Sequence, residues 1–152
     1  MVLYMIWGAM AGPLFDQDAW MLARTAQGEA EVLGAVGMDC VMWVVHNRVQ
    51  SPQFPNSIKE VVTNKGSFGG YWRVKIPRDD VYEQALEFLR LPKSELDDPT
   101  SGALFVFGKK DVKNYNLPPA DWVLVNSEFE LHFYEIIDWE AWQEGGGGKY
   151  FL

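Results

Sequence analysis

The sequence predicts an α+β domain, mainly helical, with a small antiparallel sheet in its C-terminal half. Two patterns carry this. Apolar residues recur with helical spacing between Asp16 and Pro92, and beyond Pro92 the pattern changes to short β-rich runs. Helices first and strands afterwards is the arrangement of an α+β domain. The 152 residues are 48% hydrophobic and 14% aromatic, enough for one compact core and unlike a disordered chain.

The first helix starts at Asp16 or Asp18, either of which can cap it. Its inner stripe is Ala19, Leu22, Ala23 and Ala26, and Glu29 falls at the end of that core-facing row. A second helix runs from Val36 to Val49 after Gly34. It is apolar nearly all round, so it is expected to be the buried central helix, ending before Pro52. A short helix follows Pro55, with Ser57 and Glu60 as a capping box and Gly66 at its C-terminal end. Asp80 and Glu83 open another helix with Val81, Ala85, Phe88 and Leu89 inside, and Pro92 closes it. Strands are expected at Ala103 to Phe107, Trp122 to Val125 and Leu131 to Tyr134. The loop around Asn114 to Pro119 is expected to rim a cleft.

One domain is expected over residues 1–152, with its core at about 14–140 and a flexible spacer at Gly145 to Gly148. The apolar N-terminal stretch, Met1 to Pro13, lacks the positive start of a secretory signal and is too short to span a bilayer. It reads as a tail or strand packed on the domain.

Composition narrows the function. With 13 basic and 21 acidic residues the formal net charge is −8. That disfavours nucleic acid, whose phosphates need Lys and Arg, and tight adhesion to an anionic membrane. A glycan remains compatible. The single cysteine, Cys40, excludes an internal disulfide and sits in an apolar run where a buried, inert thiol is expected. No phosphate loop, HExxH or hydrolase triad is marked, and two histidines with one cysteine are too few for an ordinary zinc site, so no metal is expected.

Acid/base work by a carboxylate remains, and Glu29 is the leading candidate. At the end of an apolar stripe it would be partly desolvated, which disfavours the charged form of a carboxyl group and leaves a proton to donate. The competing reading is a helix-end glutamate turned to solvent or paired with Arg24 or Arg48. Phe68, Tyr71 and Trp72 follow the Gly66 turn in a glycine-rich loop, where aromatics can stack on sugars or simply pack. Asn47 and Arg48 close the central helix: Arg48 reads as a structural ion-pair partner, and Asn47 as either a substrate contact or a cap. His132 stands on the strand face opposite Leu131 and Phe133, either toward the cleft or hydrogen-bonded for structure. Asp97 and Asp98 before Pro99 read as turn formers.

Several segments recur in a fixed order: Leu22 to Ala30, Gly37, Val41 to Val49, Ser51 to Ile58, Val61-Val62, Gly66-Ser67-Phe68, Asp98 to Phe105, and His132-Phe133-Tyr134. Together they resemble the SleB-type cell-wall hydrolase family, the spore-cortex-lytic enzymes and their bacterial and phage relatives, over roughly residues 20–135. The resemblance implies a lysozyme-like or lytic-transglycosylase-like catalytic domain with its single essential glutamate at Glu29 and no cofactor. Its substrate would be peptidoglycan glycan strands. The acid would protonate the oxygen between N-acetylmuramic acid and N-acetylglucosamine, then act as base so that the muramoyl 6-hydroxyl forms a 1,6-anhydro end. A water-using muramidase and a non-catalytic wall-binding module on the same fold are the alternatives. Phe68, Tyr71, Trp72, Ser67, Asn47 and His132 are the expected substrate contacts. A monomer acting on the cell wall is expected, whether extracellular, periplasmic or released as a phage endolysin. Two positions depart from the family pattern. Leu33 replaces a second glutamate, which weakens any two-carboxylate mechanism, and Ser67 replaces a larger polar residue before the Phe.

Overall fold

The computed structural model describes residues 14–108, 122–126 and 131–136, with the single positions 140 and 144. The expected Asn114–Pro119 rim, the N-terminal stretch and the glycine spacer lie outside the described residues.

Helix α1 spans Gln17–Ala30, and its cap is Asp16, whose Oδ1 accepts the Ala19 N–H at 2.9 Å. The stripe of Ala19, Leu22, Ala23 and Ala26 is fully buried, as its spacing predicts. Thr25 is buried beside it and donates its hydroxyl to the Met21 carbonyl at 2.8 Å, so no polar atom is stranded there. The Tyr82 hydroxyl accepts the Asp16 N–H at 3.0 Å and ties the start of α1 to a later helix.

A 3-10 turn, Glu31–Leu33, leads through Gly34, at φ 70°, into α2, Gly34–Gln50. This central helix buries Met38 and every residue from Cys40 to Val45. Its start differs from the expectation: the helix begins two residues earlier, and Val36 faces solvent at 56% exposure. Leu33 packs against Gly37, where an added Cβ would lie 2.4 Å from the Leu33 Cβ.

Helix α3, Ile58–Thr63, is capped by Ser57, whose Oγ accepts the Glu60 N–H at 3.2 Å and donates to Glu60 Oε2 at 3.0 Å. It stops three residues short of Gly66. That glycine instead takes φ 82° in the turn closed by the Ser67 N–H on the Asn64 carbonyl. Helix α4, Gly69–Arg73, occupies the segment expected to be a loop. Two glycines are poor helix formers; the single turn persists because α1 supplies its tertiary contacts. Helix α5, Asp79–Arg90, buries Val81, Ala85 and Phe88 and ends before Pro92. A second 3-10 turn, Lys93–Glu95, follows.

The strands are β1, Phe105–Gly108; β2, Trp122–Asn126; and β3, Leu131–Ile136. All pairings are antiparallel in the order β1-β3-β2, with Phe105 opposite Tyr134 and Trp122 opposite Ile136. Alternation in β3 is incomplete, because Tyr134 is buried as well as Leu131 and Phe133. Its ring lies 6.0 Å from that of Phe107, which covers this face of the sheet. One continuous core joins α1, α2, α3 and α5 to Ala103, Leu131 and Phe133. Among the described residues no helix is long and apolar enough to cross a membrane.

Asp16→Ala removes an N-cap that nothing nearby replaces, so it should cost about 1 kcal/mol. An unchanged urea midpoint would show that the Tyr82 contact alone sets this helix start.

Candidate active site

The site begins with two glycines. A Cβ on Gly28 would lie 2.1 Å from the Gly70 carbonyl oxygen, and one on Gly70 would lie 2.4 Å from the Gly28 carbonyl carbon. The backbones of α1 and α4 therefore touch, at a distance only glycine permits. Side chains lock the joint from both sides. Arg73 donates from Nη2 to the Gly28 carbonyl at 2.8 Å. Arg24 donates from Nε to Val74 O at 2.6 Å and from Nη2 to Tyr71 O at 2.9 Å, with its guanidinium 4.0 Å from the Tyr71 ring centre.

Glu29 sits on this joint, half-buried. Its Oε1 accepts the Gly70 N–H at 2.6 Å, which fixes the carboxyl group relative to α4. Its Oε2 takes no hydrogen bond among the described residues.

Arg48 lies behind the same segment, at 2% exposure. Nε donates to the Leu104 carbonyl at 2.7 Å, and the guanidinium lies 4.6 Å from the Phe68 ring, 4.8 Å from Phe54 and 5.1 Å from Phe105. Burial pushes its pKa down to about 9, and the charge of Glu29 opposes that fall. Arg48 is therefore cationic at neutral pH. Ring faces recover part of the cost of removing the cation from water. Sequence reading identified Arg48 as structural but missed this aromatic enclosure. The Phe at 54, 68 and 105 carried no signal that they share one cation.

The other expected site residues divide between two places. Phe68 and Tyr71 belong to the joint with buried rings, covered by Arg48 and Arg24 respectively. Trp72 is 51% exposed and packs edge-on to Tyr71 with centroids 4.9 Å apart, so its ring alone of the three has open surface. Ser67 is half-buried in the turn before α4.

Asn47 and His132 hydrogen-bond to other partners. Asn47 donates from Nδ2 to Asp98 Oδ2 at 2.9 Å and to the Ala103 carbonyl at 3.1 Å. Asp98 forms the turn its sequence setting suggested, accepting the Thr100 N–H at 2.7 Å and the Gly102 N–H at 2.8 Å. It thereby holds Ser101 at φ 56°. His132 pairs with Phe107 across the sheet and lies 3.1 Å from the Tyr134 hydroxyl through Nδ1. No hydrogen bond among the described residues joins it to Glu29.

A family model described as cell wall hydrolase matches residues 34–134. The chain belongs to the cell wall hydrolase family. It is an enzyme of peptidoglycan breakdown, and its place of action is the wall. The matched span starts five residues after Glu29, so that residue is outside it. Two solved structures share the fold. The catalytic domain of the Bacillus cereus SleB protein is 20% identical with a TM-score of 0.62, covering 82% of this chain and 94% of that one. The catalytic domain of the germination-specific lytic transglycosylase SleB from Bacillus anthracis is 20% identical with a TM-score of 0.63, covering 82% of this chain and 100% of that one. No curated protein matches the sequence.

The glycine contact is testable by a pair of substitutions. Gly70→Ala places a methyl group inside the Gly28 backbone and should cost about 1–3 kcal/mol, as overpacking does. Gly69→Ala meets nothing closer than 3.9 Å and should be neutral or stabilising. Equal urea midpoints for the two variants would remove the close contact as the explanation.

Proposed function

We propose that this cell wall hydrolase cleaves between N-acetylmuramic acid and N-acetylglucosamine as a lytic transglycosylase, with Glu29 as its acid and base. The observation that carries the reading is the carboxyl group itself: one oxygen is anchored on Gly70 and the other accepts no hydrogen bond among the described residues. Glu29 donates its proton to the bridging oxygen, and the bond from that oxygen to the muramoyl C1 breaks with its electron pair going to the oxygen. The resulting Glu29 carboxylate takes the proton of the muramoyl 6-hydroxyl. The freed oxygen lone pair then forms the bond to C1 that closes the 1,6-anhydro ring. The enzyme returns to its starting protonation state without water being consumed.

The one-carboxylate route is favoured by what surrounds Glu29. A hydrolase with two carboxylates needs a second one at a defined separation. Glu31, the nearest along the chain, is ion-paired with Arg78 at 2.6 Å, and position 33 is leucine. Trp72, with its open ring beside Tyr71, is the aromatic best placed to lie against a sugar.

Digestion of purified peptidoglycan, with mass spectrometry of the soluble products, tests the reading. Glu29→Gln keeps the Gly70 hydrogen bond and removes the proton, so product release should fall at least about 100-fold. The wild-type products should carry 1,6-anhydro ends. Reducing ends would make the enzyme a muramidase, and binding without product would make it a wall-binding module. Trp72→Ala should raise KM about 3- to 10-fold with little change in kcat, the scale of one aromatic stacking contact. An unaltered KM would place the sugar elsewhere.

A further inference from the structure

Helix α4 carries two groups that the reaction needs. The Gly70 N–H orients Glu29 at 2.6 Å, and Trp72, two residues on, keeps an open ring. A misplaced turn would therefore disturb the acid and the sugar contact together. Yet α4 has five residues and begins with two glycines, so it has almost no helix stability of its own. Of those five, only Gly70 and Tyr71 are buried. Its position has to be imposed from outside.

Arg24, on α1, imposes it at the far end of the turn. Nε donates to the Val74 carbonyl at 2.6 Å, and Nη2 donates to the Tyr71 carbonyl at 2.9 Å. Both carbonyls lie toward the C-terminal end of α4, where acceptors lack partners within a helix. A planar guanidinium that meets two acceptors at once fixes an angle as well as a distance. The same group lies 4.0 Å from the centre of the Tyr71 ring, and that ring meets Trp72 edge-on at 4.9 Å. Two routes thus lead away from one side chain. One runs through the α4 backbone to the Gly70 N–H, the other through the Tyr71 ring to Trp72. The Gly28–Gly70 contact sets how closely the backbones approach, but a single point of contact is a pivot. Arg73 ties back to the Gly28 carbonyl, at the pivot itself. Arg24 bonds one and four residues beyond Gly70, where it has the leverage to stop rotation.

We propose that Arg24 is a positioning residue, holding α4 so that Gly70 orients Glu29 and Tyr71 presents Trp72 to the glycan. The inference rests on the reading of Glu29 as acid and base and of Trp72 as a sugar contact. Arg24 acts through α4 and not on the substrate. Its signature is that kcat and KM move together, whereas Glu29→Gln acts on kcat and Trp72→Ala on KM.

Steady-state kinetics on solubilised peptidoglycan test this, with wild type, Arg24→Gln, Arg24→Lys, Trp72→Ala and the double variant of Arg24→Gln with Trp72→Ala. Arg24→Gln should lower kcat about 10- to 100-fold, the scale of a misplaced catalytic group. It should also raise KM about 3- to 10-fold, as loss of the Trp72 contact does. Arg24→Lys keeps the charge without the fork and should shift both in the same directions by less. In the Trp72→Ala background, Arg24→Gln should still lower kcat but raise KM no further, because the two changes share one contact.

A merely structural role would lower the fraction of folded enzyme, which scales kcat and leaves KM at its wild-type value. A kcat loss with KM unmoved would therefore overturn the proposal. So would wild-type kinetics in Arg24→Gln, or a KM rise that adds in full to that of Trp72→Ala. If Arg24→Gln does not fold, Arg24→Lys decides by the same criterion: KM must rise as kcat falls. Retained activity in Glu29→Gln would instead overturn Glu29 as the acid, and an unaltered KM in Trp72→Ala alone would overturn the sugar contact, so the failures are distinguishable.

Discussion

Everything at the site depends on the contact between Gly28 and Gly70. Two backbones meet where any side chain would collide with a carbonyl or a peptide unit. Because α4 rests directly on the last turn of α1, the Gly70 amide reaches the carboxyl group one residue past the contact. Arg24 and Arg73 then spend their charge on carbonyls across the seam, where a short helix has unpaired acceptors. A single turn rich in glycine has little reason to be helical alone, and this contact supplies the reason.

A second dependency runs through the end of α2. Asn47 and Arg48 reach from one helical turn to the Ala103 and Leu104 carbonyls and fasten the start of β1. Leu104 in turn donates its N–H to Tyr134 in β3 at 2.9 Å, so the helical layer and the sheet are joined by polar bonds at this corner. The guanidinium that performs this task is the one packed against the rings of Phe54, Phe68 and Phe105.

The acidic surface fits an enzyme whose substrate is a glycan held by contact rather than by long-range attraction. A net charge of −8 gives no electrostatic pull toward an anionic wall. Affinity then falls to short-range contacts such as an open aromatic ring. The Glu29 carboxyl group, with one oxygen fixed on the Gly70 amide, takes its orientation from the protein's own joint.

Local pattern was enough for much of this. The α1 stripe, its Asp16 cap, the buried run of α2, the Ser57 cap and the stop before Pro92 depend on residues within a few positions of one another, and each was legible in the sequence. So was the place of Glu29 at the end of a core-facing row. The family resemblance added the fold and the enzyme class, which no periodicity contains. What the sequence could not determine were contacts between residues far apart in the chain. Val36 is apolar yet 56% exposed, and Gly66 was drawn into a turn rather than a helix end. Glu29 found its amide 41 residues away, and Arg48 found its carbonyl 56 residues away. Which of Phe68, Tyr71 and Trp72 kept an open face was likewise settled by the cations that covered the first two. Hydrophobic spacing tells a residue which side of its own helix to face; only the packed structure decides what it meets there.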